Sequence, residues 1–97
     1  MAYNASKAAV VKLTQTLGCE WAGRGVRVNC ISPGIVNTAL IRSEALAPLA
    51  KEWLTQIPAE RLAEVTDLQA AIVFMASEAS DYMVGHNLVL EGGQSLW

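Results

Sequence analysis

The chain has 97 residues, 53% of them apolar and 16% charged, with a net charge of −2. Its seven Lys and Arg residues are scattered, which leaves no electrostatic footprint for nucleic acid or an anionic membrane, and no apolar run approaches the roughly 20 residues that span a bilayer. A small domain has a high surface-to-volume ratio, so this balance predicts apolar faces meant for a partner outside the sequence.

In chain order, Val10, Leu13, Leu17 and Trp21 recur at helical spacing with no Pro before them, which predicts a helix over residues 1–22 with one buried face. Gly23 and Gly25 stop it, because glycine closes a helix in the left-handed conformation. The β-branched run Val26 to Ile31 predicts a buried strand, ended by Ser32-Pro33-Gly34. Residues 39–63 are rich in Ala and Leu, and Pro48 and Pro58 break them into pieces, so a mobile, partly helical lid is expected. Thr66 and Asp67 precede a periodic run through Met75, which predicts a second capped helix ending near Ser77. A polar turn at Ser80 and Asp81 leads to a second strand, Asn87 to Glu91, and a Gly92-Gly93 loop. Cys19 and Cys30 fit no metal spacing and read as buried free thiols of a reducing compartment. His86 is isolated and reads as a turn residue, and no metal site is expected.

Helix, strand, lid, helix and strand is the grammar of an α/β layer with parallel strands. Two strands are too few for independent stability, so the expected fold is the C-terminal portion of a Rossmann-like doubly wound parallel sheet whose N-terminal half lies elsewhere. On that reading residues 1–97 form part of a single domain: 1–22 the first helix, 26–38 a strand and loop, 39–63 the lid, 66–97 the last helix and strand.

Tyr3 and Lys7 lie four residues apart on the first helix, where side chains of one face meet. A free Tyr holds its proton too firmly, with a pKa near 10, to exchange it with an alcohol at neutral pH. A neighbouring ammonium stabilises the phenolate and makes the phenol a usable acid/base. Tyr and Lys at this spacing also occur by chance on exposed helices, so the pair gains meaning only from its company.

That company is Tyr3-Asn4-Ala5-Ser6-Lys7-Ala8-Ala9, Val26 to Gly34, Thr38, Gly85 and Glu91-Gly92-Gly93. Together they resemble the short-chain dehydrogenase/reductase family over nearly the whole chain. The resemblance implies an NAD(P)(H)-dependent oxidoreductase interconverting an alcohol and a carbonyl, with Tyr3 as acid/base and Lys7 lowering its pKa and binding the nicotinamide ribose. It implies that the Pro33-Gly34-Ile35-Val36-Asn37-Thr38 stretch faces the nicotinamide, the Val36 backbone and the Thr38 hydroxyl holding its carboxamide. Residues 39–60 are similar to the family's substrate-covering loop, in which Trp53 lines a substrate pocket or packs, packing being favoured. Arg61 and Asp67 match positions expected to form a local charge pair or cap, and Glu91 stands where the family often has Asp.

Ile57-Pro58-Ala59-Glu60-Arg61 and Ser80 to Gly85 are similar to fungal polyol and ketose reductases, the mannitol dehydrogenase and sorbose reductase group. This leans the expectation toward NADP and a polyol or ketose substrate. A homo-oligomer and a cytoplasmic location are expected of the full-length protein. The family's glycine-rich strand-turn-helix motif is not in these 97 residues, since Gly23-Arg24-Gly25 follows a helix and precedes a strand. The catalytic serine of the family lies upstream of its Tyr, so Ser6 is not that residue. The chain alone is therefore expected to be inactive. The alternative is a non-catalytic interaction protein that pairs with full-length relatives.

Overall fold

The computed structural model describes residues 2–40 and 42–96, with the backbone alone at Tyr3 and Asn4. The regular elements are α1 (Ala2–Trp21), β1 (Cys30–Pro33), α2 (Ala47–Leu54), α3 (Val65–Ala76) and β2 (Asn87–Leu90). β1 and β2 neighbour each other in a two-stranded sheet. The Cys30 N–H donates to the His86 carbonyl and the Gly34 N–H to the Leu90 carbonyl, so both strands advance in the same sense. The sheet is therefore parallel, and its strands need a long crossover, here the segment that carries α2 and α3. The α/β class expected from the sequence is present. No helix among the described residues is long and apolar enough to cross a membrane.

Two compact units make up the chain, one of Met1–Ile31 with Val73–Leu88 and one of Ser32–Ile72 with Val89–Trp97. In the first, α1 buries Thr14 and Gly18, not the face expected from periodicity. Val10 and Leu13 are 51% and 55% exposed, and Trp21 is also exposed. The reason is visible at Gly18, where an added Cβ would stand 3.1 Å from the Gly85 nitrogen. The helix meets the turn before β2 along its small residues, because only these let two backbones come so close.

The expected strand over Val26–Ile31 also needs correction: pairing runs from Cys30 to Pro33, and Val26 is exposed. Residues 27 and 29 instead turn their side chains to the connector that leads into β2. Arg27 donates from Nη1 to the carbonyls of Met75 and Ser80 and to Ser80 Oγ, and from Nη2 to the Ser77 carbonyl, all within 3.1 Å. Met75 lies in the last turn of α3, whose carbonyls lack intrahelical partners, and Ser77 and Ser80 lie in the turn that follows it. Asn29 donates to the Met83 carbonyl (3.0 Å) and accepts from the His86 N–H (2.9 Å), fixing the approach to β2. His86 is exposed, as expected of a turn residue. Cys19 is exposed and Cys30 half-buried, so the expected burial of both thiols is not met.

In the second unit, Pro48 opens α2 where the sequence reading made it a breaker. The first turn of a helix has no use for that N–H, and proline's fixed φ suits it. Asp67, in the first turn of α3, accepts from the Glu64 N–H at 2.7 Å, so the helix begins at Val65 and its cap is Asp67, not Thr66. Ile57, 4% exposed, is the one buried apolar side chain among the described residues. Against it sits Gly92 at φ 66°, where an added Cβ would come within 2.8 Å of Ile57 Cγ2. The Ala59 N–H donates to the Gly92 carbonyl, joining two segments singled out in the sequence.

Candidate active site

Tyr3 and Lys7 fall one turn apart on the unbroken helix α1. The Tyr3 side chain lies outside the described residues, and Lys7 is exposed. Both belong to the first unit, whereas Pro33, Gly34, Val36 and Thr38 belong to the second.

The loop after β1 is built by backbone pairing. Pro33 ends β1 and is exposed. Gly34 follows in contact with the strand's neighbour: an added Cβ would stand 2.8 Å from Glu91 Cα and 2.9 Å from Glu91 Cβ. Replacing Gly34 with Ala must push backbone apart, and a loss of about 1–3 kcal/mol is expected in chemical denaturation. Gly23→Ala is the matched control, since its new carbon meets nothing within 4 Å, and it should leave the midpoint nearly unchanged.

Val36 forms an isolated parallel bridge with Ala63. The Ala63 N–H donates to Ile35 at 2.9 Å and the Asn37 N–H to Ala63 at 2.7 Å. Successive residues of a strand point their backbone groups to opposite sides, so the Val36 N–H and C=O face away from Ala63. Val36 therefore offers one donor and one acceptor side by side, the complement of a carboxamide. Thr38 is exposed, and its carbonyl accepts the Arg42 N–H.

A cleft of about 590 Å³ also lies in the second unit, walled by Ile35, Ile57, Leu68, Val89 and Leu96. None of Pro33, Gly34, Val36 or Thr38 lines it, nor does Trp53, which is half-buried on α2. Its polar side chains are engaged: Glu91 accepts from Ser95 N–H and Oγ, and Arg61 grips Asp67 bidentately at 2.7 and 3.1 Å. The charge pair and the cap expected of Arg61 and Asp67 are both present. Arg61 beside it and the Glu64 N–H hold the Asp67 carboxyl down at about 2. Folded Asp67 therefore takes up its proton at lower pH than when unfolded. Its contribution is complete above about pH 4 and fades as pH falls toward 2. The site is exposed, so the effect is modest. Asp67→Asn should flatten the dependence of the melting temperature on pH between those limits.

A family model described as enoyl-(acyl carrier protein) reductase matches residues 1–95. D-arabinitol 2-dehydrogenase [ribulose-forming] of Candida albicans is 44% identical over 98% of this chain, which spans 35% of that protein. A short-chain type dehydrogenase/reductase from Mycobacterium marinum superposes with a TM-score of 0.88 at 40% identity, covering 96% of this chain and 36% of the other. The chain belongs to the short-chain dehydrogenase/reductase family. A further member of known structure, from Beutenbergia cavernae and assigned as an NAD(P)-dependent gluconate 5-dehydrogenase, carries NADP at low occupancy. It superposes at a TM-score of 0.90 with 45% identity, over 99% of this chain and 39% of its own. This chain thus spans little more than a third of the length of the short-chain dehydrogenases it matches.

Two groups of this short-chain dehydrogenase/reductase chain escaped the sequence reading. Arg27 and Asn29 were read only as part of a strand, although a charged and an amide residue inside a β-branched run signal side chains with a partner. Arg42 and Glu64 carry no motif, Asn37 is named only within the 33–38 stretch, and their meeting accompanies the Val36 and Ala63 bridge.

Proposed function

We propose that this chain supplies the acid/base and nicotinamide-side portion of an NAD(P)(H)-dependent oxidoreductase interconverting an alcohol and a carbonyl. The observation that carries this reading is Tyr3 and Lys7 one turn apart on α1, in a chain that matches the family over nearly its whole length. In the oxidative direction Tyr3, as phenolate, takes the proton of the substrate hydroxyl, and in the reductive direction it returns that proton to the carbonyl oxygen. The Lys7 ammonium stabilises the phenolate and binds the nicotinamide ribose. The cofactor, when bound, accepts or donates the hydride. Pro33 and Gly34 carry the chain into the loop, where the Val36 backbone and the Thr38 hydroxyl hold the carboxamide. A polyol or ketose is the proposed substrate, supported by the likeness to an arabinitol dehydrogenase. NADP is the proposed cofactor form, supported by the NADP-bound relative.

Hydride transfer needs cofactor, substrate and acid in one geometry, and positioning supplies roughly 7–11 kcal/mol of barrier reduction. The glycine-rich motif that would seat the pyrophosphate is not among these residues, so the chain alone is proposed to be inactive. The test is a fusion of the upstream section of the Candida albicans arabinitol dehydrogenase to residues 1–97. Turnover of polyols with NAD(P) is expected, and a folded but silent fusion would count against the reading.

A second reading, a non-catalytic protein that pairs with full-length relatives, is favoured by the exposed Val10 and Leu13 on α1. Co-purification with such a relative, lost in Leu13→Glu and unaffected by Tyr3→Phe, would support it.

A further inference from the structure

We propose that Asn37 is the positioning residue of the 35–38 loop, its side-chain amide joining Glu64 and Arg42 and so setting the loop's backbone. The consequence for cofactor rests on the function proposed above; the placement itself does not.

Asn37 Nδ2 donates to Glu64 Oε1 at 3.0 Å, and Arg42 Nη1 donates to Asn37 Oδ1 at 3.1 Å. Glu64 can only accept and Arg42 can only donate, so the partners also fix which end of the amide points where. A neutral amide is the side chain that offers a donor and an acceptor at once, and a charged partner strengthens each bond. Three stretches of chain meet in this relay: the loop itself, the residue that precedes α3, and the start of the 39–63 segment.

The backbone repeats the connection on either side. The Asn37 N–H reaches the Ala63 carbonyl, the Ala63 N–H reaches Ile35, and the Arg42 N–H reaches the Thr38 carbonyl. Arg42 thus holds the loop twice, through its main chain at Thr38 and its guanidinium at Asn37. The relay brackets Val36 and Thr38, the two residues proposed to hold the carboxamide. With Ala at 37 both bonds go, and with Asp the donor is replaced by a second carboxylate facing Glu64.

The test is residue-resolved amide hydrogen exchange, without cofactor, on the fusion of the arabinitol dehydrogenase section with residues 1–97. Asn37→Ala is expected to speed exchange at the amides of residues 37, 42 and 63 by about tenfold, leaving Cys30 and Gly34 in the β1–β2 ladder within about twofold. Glu64→Ala should do the same at residues 37 and 63, and Glu64→Gln, which keeps the acceptor, should restore most of the protection. A mere spacer role predicts no such rescue. Unchanged exchange in Asn37→Ala, an equal rise in the ladder, no protection at residues 37 and 63 in the unmodified fusion, or Glu64→Gln behaving as Glu64→Ala would each overturn the proposal. No cofactor is involved, so failure here leaves the functional reading standing, and a silent fusion leaves the relay standing.

Discussion

Tyr3→Phe in the fusion with the arabinitol dehydrogenase section is expected to lower kcat by about 10²–10⁴-fold, the range that a positioned acid/base contributes. Phe keeps the ring and removes the hydroxyl with its exchangeable proton, while Lys7 and the 33–38 loop are left intact, so cofactor affinity should change little. Lys7→Met tests the other half of the pair. Without the ammonium the phenolate is less favoured, and the limb of the pH profile that needs it moves to higher pH. A Tyr3→Phe fusion within threefold of the unmodified kcat would remove Tyr3 from the reaction, whatever the fold.

Arg27→Met should be the most damaging single change to stability, by about 2–4 kcal/mol in urea or guanidinium unfolding. Methionine preserves the length of the stem but leaves the carbonyls of Met75, Ser77 and Ser80 without their shared donor. Ser80 is 3% exposed, so water cannot take the guanidinium's place there. Total stabilities of 5–15 kcal/mol make such a loss a large share of the whole. Arg27→Lys should fall between, since an ammonium cannot span acceptors that a planar fork reaches together. A midpoint for Arg27→Met equal to that of the unmodified chain would show that the clamp contributes nothing.

Much of this was legible in the residues. Spacing placed Tyr3 and Lys7 one turn apart on a helix, and α1, α3 and β2 followed from periodicity and breakers. Arg61 and Asp67 were expected as a charge pair or cap from the family positions they match, and the structure joins them. Pattern failed where tertiary contact decides. Helical spacing marked Val10 and Leu13 as inward, yet the contact face of α1 is chosen by the small residues Thr14 and Gly18. β-branching placed a strand from Val26, but the ladder is set by where β2 lies, and Arg27 and Asn29 are spent on the connector. Pro48 shows the same limit in miniature, since a proline that ends one helix can equally begin another. The relay of Asn37, Arg42 and Glu64 joins residues up to 27 positions apart, beyond the reach of any local pattern.

The most direct test of the account is the turnover of the unfused 97-residue chain, assayed with NAD or NADP and a panel of polyols and ketoses. A rate indistinguishable from buffer is expected, because the proposed acid/base, Tyr3, is among these residues and the family's glycine-rich motif is not. Turnover that vanishes in Tyr3→Phe would contradict it, showing that these residues bind and orient the cofactor unaided.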